Sequence, residues 1–122
     1  MTDPNITVVI EDDLDIRTLI AAVLESAGFV VHTAPNGFDG IDLVQRYDPA
    51  VTTLDVSMPG IDGFETARRI REFSSTKILM VSARVDELEQ LSGRDAGADD
   101  YLTKPFRPRE LRELVQKLVA SS

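Results

Sequence analysis

Short apolar, β-branched runs alternate along this chain with longer stretches in which apolar residues return every third or fourth position. The short runs are Ile6–Ile10, Phe29–Ala34, Ala50–Leu54, Lys77–Val81 and Asp100–Leu102, and each predicts a strand. Between the first two, Ile16, Leu19, Ile20, Val23 and Leu24 keep helical spacing, Asp13 or Asp15 is placed to start the helix, and Gly28 ends it. Phe38, Ile41 and Val44 mark a second helix after the Asn36-Gly37 turn. Phe64, Ala67 and Ile70 mark a third after Asp62-Gly63. A fourth, from about Asp86 to Ala96, carries a thin apolar stripe of Leu88 and Leu91 and holds Gly93, which costs a helix about 1 kcal/mol relative to alanine. The last opens with Pro108 in its first turn, where no backbone N–H is needed, and lines up Leu111, Leu114, Val115 and Leu118. Strands and helices in strict alternation predict an α/β domain built from βαβ units around a parallel sheet.

The ends of the apolar runs carry the chemistry. Val8-Val9-Ile10 runs into Glu11-Asp12, Ala50–Leu54 into Asp55, Ile78–Val81 into Ser82, and Tyr101-Leu102 into Thr103-Lys104-Pro105. Parallel strands bring their carboxyl ends to one edge of the sheet, where open α/β folds build their sites. Three carboxylates there would disfavour one another's ionisation. A hard dication relieves this, and magnesium takes oxygen ligands through one or two carboxylates together with phosphate oxygens. Taken alone, Glu11, Asp12 and Asp13 need do no more than start a helix, where acidic side chains suit the dipole. A lone Lys104 would be a solvated surface lysine, and a lone Ser82 a strand-end hydroxyl. Their convergence with Asp55 favours a joint site.

An aspartate can attack phosphorus to give an acyl phosphate. Phosphoryl transfer then depends mainly on positioning and charge stabilisation, for which Lys104, Ser82 and a magnesium ion are suited. Glu11, Asp12 and Asp55 carry three negative charges, matched by a dication and Lys104. A cis peptide is expected at Lys104-Pro105, because X–Pro bonds tolerate it at about 0.5–1 kcal/mol.

Composition narrows the setting. At 122 residues the chain is expected to form one domain, 1–122, with a core large enough to need no disulfide, and it has no cysteine. Its net charge of -8 opposes direct binding to nucleic acid or to an anionic membrane. Met1-Thr2-Asp3-Pro4-Asn5 lacks the basic region and apolar core of a signal peptide, and no apolar stretch approaches the roughly 20 residues that span a bilayer. A soluble, cytoplasmic domain is expected.

In order along the chain, Val9-Ile10-Glu11-Asp12-Asp13, Leu54-Asp55, Met58-Pro59-Gly60-Ile61-Asp62-Gly63, Val81-Ser82-Ala83 and Gly97-Ala98-Asp99-Asp100-Tyr101-Leu102-Thr103-Lys104-Pro105-Phe106 resemble the receiver domain of two-component response regulators. The resemblance spans almost the whole chain. It implies a doubly wound, flavodoxin-like (βα)5 fold with a five-stranded parallel sheet of order 2-1-3-4-5. It implies that Asp55 is the phosphoacceptor for a sensor histidine kinase, with Lys104 and Ser82 assisting. Magnesium, with manganese as a substitute, is then held by Asp12, Asp55 and the Ser57 backbone carbonyl, with Glu11 assisting. Ser82 and Tyr101 become the switch pair, Ser57 and Arg84 tune the lifetime of the acyl phosphate, and Pro105 follows a cis peptide. Such a domain is no conventional enzyme; it promotes its own phosphorylation and dephosphorylation, and the face of the fourth helix, fifth strand and fifth helix responds. The resemblance leaves open a homodimer through that face, weakened by Arg94 and Leu114, and an output domain beyond Ser122 acting in transcription. His32, on an edge strand in this order, has no catalytic role, and Thr52 and Thr53 need hydroxyl partners if buried.

Other classes fit less well. A phosphohydrolase of the haloacid dehalogenase type needs a second acid two residues after its nucleophile, where this chain has Ser57. A flavodoxin-like carrier would meet repulsion between its phosphate and Glu11-Asp12-Asp13, and no GxxxxGK loop is present. The alternative from another class is a vestigial receiver that acts as an interaction module without phosphorylation.

Overall fold

A computed structural model of the protein describes residues 3–84 and 86–121. Five strands, β1 (Asp3–Ile10), β2 (Val30–Ala34), β3 (Pro49–Asp55), β4 (Lys77–Ser82) and β5 (Asp100–Thr103), alternate with five helices. The helices are α1 (Leu14–Ser26), α2 (Gly37–Tyr47), α3 (Gly63–Arg71), α4 (Glu87–Ala96) and α5 (Pro108–Ala120). All strand pairs are parallel, and the sheet order is β2-β1-β3-β4-β5. β3 and β4 run one residue further than expected, so Asp55 and Ser82 are themselves the last residues of their strands.

Alternation along each strand sorts the core into two layers. Val9, Val51, Leu79, Val81 and Leu102 meet Ile20 and Leu24 of α1 and Leu111, Val115 and Leu118 of α5. Val8, Ile10, Leu54, Ile78 and Met80 meet Val44 of α2, Ala67 and Ile70 of α3 and Ala96 of α4. The inner strands are therefore apolar on both faces, as parallel sheets covered by helices must be.

All five helices start at the carboxyl edge of the sheet, and four of them, α1 to α4, have an acid or amide cap. Asp13, Asn36, Asp62 and Asp86 accept from the backbone N–H of Ile16, Asp39, Glu65 and Glu89 at 2.8–3.0 Å. The acidic triplet is thus divided: Asp13 caps α1, which frees Glu11 and Asp12 for other contacts.

Two helices present inner faces unlike those expected. In α2, Phe38 lies outside, 52% exposed, with the Arg69 guanidinium 5.4 Å from its ring centre. Gly40 takes the inward position, because a Cβ there would stand 2.3 Å from Ile10 Cδ1. In α4, Leu88 and Leu91 are 72% and 57% exposed and do not form the inner stripe. Glu89, Gly93 and Ala96, at helical spacing, face inward instead. A Cβ on Gly93 would lie 1.9 Å from the Tyr101 hydroxyl oxygen, so the glycine that weakens α4 as a helix makes the seat for that ring.

Arg71, at the end of α3, ties three segments together. Its guanidinium donates to the carbonyls of Ser74, Thr76 and Gly97, reaching Gly97 at 3.1 and 2.8 Å, and to Asp99 Oδ2 at 2.8 Å. Asp99 Oδ2 also accepts from the Ile78 N–H at 2.8 Å. Gly97 ends α4 at φ 110°, and a Cβ there would lie 2.6 Å from Arg71 Cγ.

The paired threonines behave differently. Thr52 Oγ1 shares a hydrogen bond with Thr76 Oγ1 at 3.1 Å, whereas Thr53 Oγ1 is buried with no hydrogen-bond partner. An unpaired buried hydroxyl costs about 1–3 kcal/mol. Thr53→Val keeps the branched shape and removes the orphan oxygen, so urea unfolding should show the variant about 1 kcal/mol more stable than wild type. Thr52→Val, which orphans Thr76, should give no such gain.

Candidate functional site

Glu11, Asp55, Ser82 and Lys104 come together at the carboxyl edge because each ends, or directly follows, one of the four adjacent strands β1, β3, β4 and β5. Glu11 and Asp55 are only 1% and 4% exposed, whereas Asp12 stands at the solvent rim. Glu11, Asp12 and Asp55 each offer a carboxylate oxygen, and these atoms lie within 4.8 Å of one another. Lys104 joins the cluster from the end of β5. Its Nζ is 2.8 Å from Glu11 Oε1 and 3.2 Å from Asp55 Oδ1. The contact with Asp55 is a hydrogen bond, while that with Glu11 is a close ion contact without hydrogen-bond alignment. The Lys104-Pro105 peptide is cis.

The backbone supports this set. The Ser57 N–H points to Asp55 Oδ1 at 3.4 Å, Glu11 Oε2 accepts from the Asp13 N–H at 3.2 Å, and the Lys104 N–H donates to the Ser82 carbonyl at 2.7 Å. Gly63 lets α3 start against this turn, since a Cβ there would lie 2.5 Å from the Asp55 carbonyl oxygen.

Burial and like charge shape the electrostatics. Loss of solvent, then the adjacent Glu11 and Asp12 carboxyls, push Asp55 up from 3.8 to about 8, against the opposing pull of Lys104. For Asp12 loss of solvent acts upward, but hydrogen bonding with Asp55, Glu11 and the backbone, with the charge of Lys104, together outweighs it and holds the group below its usual value. For Lys104 burial acts downward, and Glu11 with Asp55 more than compensates, so its ammonium is held above the ordinary lysine value. The pocket therefore has more acid than its single ammonium can neutralise. Three hard oxygen donors, one of them a buried carboxylate oxygen with no aligned donor, fit a divalent cation such as magnesium.

The remaining expected residues lie on the α4 side. Ser82 is 4% exposed, and its hydroxyl donates to Glu89 Oε1 at 2.6 Å while accepting from the Arg84 N–H at 3.0 Å. Arg84 itself is exposed and pairs with Asp86 at 2.9 Å. The Tyr101 hydroxyl donates to the Glu89 backbone carbonyl at 2.7 Å. His32 stacks on Tyr47, ring centres 3.7 Å apart, remote from these strand ends on edge strand β2.

Sequence reasoning passed over Arg17 and Glu89. Arg17 Nη1 donates to the Glu11 carbonyl at 2.9 Å and lies 3.4 Å from the Asp12 carbonyl, which fixes the turn that carries both acids. Its signal was present: a cation in the first turn of α1 opposes the helix dipole and calls for another reason. The signal for Glu89 was its spacing to Gly93 and Ala96.

Comparison with known proteins agrees with this geometry. The family model described as the response regulator receiver domain matches residues 7–116. The transcriptional regulatory protein CseB of Streptomyces coelicolor is 42% identical over 106 residues, which cover 87% of this chain and 45% of that protein. The transcriptional regulatory protein AfsQ1 of the same organism is 44% identical over 102 residues, covering 84% and 45%. The chain thus spans about half the length of the curated relatives it matches. The BeF3-activated N-terminal receiver domain of Klebsiella pneumoniae RstA aligns with a TM-score of 0.88 at 28% identity, covering 94% of this chain and 98% of that one. With the sheet order, the strand-end acids and the matched residues in accord, this chain belongs to the response regulator receiver domain family.

Proposed function

We propose that this domain is the phosphoacceptor switch of a two-component relay, with Asp55 taking its phosphoryl group from a phosphohistidine of a sensor histidine kinase. The observation that carries the reading is the buried Asp55 carboxylate, set between two further acids and held at 3.2 Å by the Lys104 ammonium. An Asp55 oxygen attacks phosphorus, the P–N bond breaks, and the imidazole takes up a proton as it leaves. Charge on the transferring group is spread over its oxygens, so positioned cations and donors supply most of the catalysis. Lys104 offers its ammonium to one oxygen. Ser82, at the end of β4, can turn its hydroxyl to another.

Asp12, Asp55 and the Ser57 backbone carbonyl would hold magnesium, with Glu11 assisting and manganese able to substitute. Bound there, the cation offsets the three carboxylates and the charge that develops on the phosphoryl oxygens. After transfer, Asp55 is a neutral ester bearing a phosphoryl group of roughly minus two. The pocket then gains only about one negative charge over the state with ionised carboxylates. Hydrolysis of the acyl phosphate restores Asp55, and Ser57 and Arg84 flank the path of the attacking water and tune its rate.

The signal leaves through Ser82 and Tyr101 to the face of α4, β5 and α5, a local charge event that biases a two-state element. That RstA is described as BeF3-activated supports the reading, since beryllofluoride matches a phosphoryl group in shape and charge. The names of CseB and AfsQ1 support an output in transcription through a further domain. Among the described residues no helix is long and apolar enough to cross a membrane, which accords with action in the cytoplasm.

Incubation with magnesium and acetyl phosphate, or with a phosphorylated histidine kinase, should label wild type at least a hundredfold more than Asp55→Asn; equal labelling would place the acceptor elsewhere. Lys104→Ala should keep magnesium binding within about tenfold by titration yet lose the response of the α4-β5-α5 face, read as amide NMR shifts on phosphorylation. A full response in that variant would remove Lys104 from the switch.

Stability should report the crowding of charge in the metal-free pocket. The folded domain keeps a proton on Asp55 up to about pH 8, whereas the unfolded chain releases it near 3.8. Folding stability tied to this group is therefore fully present below about pH 4 and falls as pH rises toward 8. Asp55→Asn removes that loss. In EDTA, its stability advantage over wild type in urea unfolding should grow from pH 5 to pH 8, reaching on the order of 2–4 kcal/mol. A constant difference across that range would contradict the assigned titration.

A further inference from the structure

Ser82 and Tyr101 are joined through a single residue. The Ser82 hydroxyl donates to the Glu89 side chain at 2.6 Å, and the Tyr101 hydroxyl donates to the Glu89 main-chain carbonyl at 2.7 Å. A serine hydroxyl has one proton. While that proton is given to Glu89, and the Arg84 N–H holds the Ser82 oxygen at 3.0 Å, Ser82 has nothing to donate to a phosphoryl group on Asp55. The second Glu89 oxygen, Oε2, is buried without a hydrogen-bond partner. The carboxylate is thus turned inward on α4 for the Ser82 contact and leaves its other oxygen unsatisfied, an arrangement that favours release once Ser82 finds a better acceptor.

We infer that Glu89 is a positioning residue that sustains the unphosphorylated state, its side chain withholding the Ser82 proton from the pocket and its main chain seating Tyr101 beneath α4. The inference rests on the reading of Asp55 as phosphoacceptor. When Asp55 becomes a phosphoryl ester, the Ser82 proton turns to a phosphoryl oxygen and no covalent bond at Ser82 changes. Glu89 loses its hydroxyl partner and faces a dianion across one serine, so its carboxylate leaves. Room for the departure exists: a groove of about 530 Å³, bordered by Ser57, Met58, Phe64, Arg84 and Glu89, separates the start of α4 from the β3–α3 turn. The carbonyl that seats Tyr101 belongs to the same residue, so movement of Glu89 unseats the ring. Gly93 sets the other wall of that seat, where any Cβ would overlap the hydroxyl.

The test is a double-mutant cycle between Glu89 and Ser82 in the whole chain, read by the rate of labelling with magnesium and acetyl phosphate and by amide NMR shifts without phosphodonor. Glu89→Ala should label about tenfold faster than wild type, the scale set by a hydrogen bond to a charged group. Glu89→Gln keeps an acceptor for Ser82 and should fall between them, which also guards against a general loss of α4 in the alanine variant. Without phosphodonor, the Ser82 and Tyr101 amides of Glu89→Ala should move part of the way toward their positions in phosphorylated wild type. In a Ser82→Ala background, Glu89→Ala should change the rate less than twofold. Equal acceleration with and without the Ser82 hydroxyl would overturn the inference, as would an unchanged rate with unmoved Ser82 and Tyr101 signals. If wild type itself takes no label while its shifts stay fixed, the phosphoacceptor reading falls and takes this inference with it; labelled wild type with an additive cycle removes the inference alone.

Discussion

The Lys104 ammonium, set 2.8 Å from Glu11 and 3.2 Å from Asp55, is the contact on which the candidate site depends. Two carboxylates buried to 1% and 4% exposure cannot share one crevice without a counter-charge. Lys104 supplies only one charge for them, and Asp55 remains well above the usual carboxylate range. A divalent cation would relieve this deficit, and on the proposed reading a phosphoryl group arriving with such a cation would leave the charge nearly level. Since Lys104 follows β5, the charge of the site also relies on β5 docking on β4, the joint nearest the face that would report phosphorylation.

Most of the architecture was legible because strand runs and helical stripes differ in period, and because Asp13, Asn36, Asp62, Gly28 and Pro108 punctuate them with known turn and cap chemistry. The positions of the acids were legible for a topological reason: parallel strands in this order must place their carboxyl ends together. The inner face of α4 was not. Hydrophobicity pointed to Leu88 and Leu91, yet the structure turns Gly93 and Ala96 inward, because close approach to Tyr101 demands small residues more than apolar ones. The same principle put Gly40, rather than Phe38, against Ile10.

Side-chain direction at the site was equally hidden. A hydroxyl at the end of β4 is compatible with pointing at Asp55 or away from it, and only the position of Glu89 in the first turn of α4 decides between them. Thr52 and Thr53 show the same limit. Both lie in one buried strand, but the pleat sends them to opposite faces, and only Thr52 meets another hydroxyl, that of Thr76. Arg17, and Arg71 in all but its contact with Asp99, act through backbone carbonyls, which have no residue identity for a sequence pattern to register.

The Arg71 clamp determines how α4 is free to travel. At its carboxyl end, Gly97 is gripped by the guanidinium and kept in a backbone shape that other residues rarely adopt, and Asp99 just beyond is fastened to both Arg71 and Ile78. Its amino end has the Asp86 cap, the Arg84 pair at the surface and two hydrogen bonds at Glu89, from the Ser82 and Tyr101 hydroxyls. On the proposed reading, a rod pinned most firmly at its carboxyl end would swing rather than slide, with the largest sweep at Leu88, an exposed apolar side chain near the amino end, and Ala96 held in the core at the hinge.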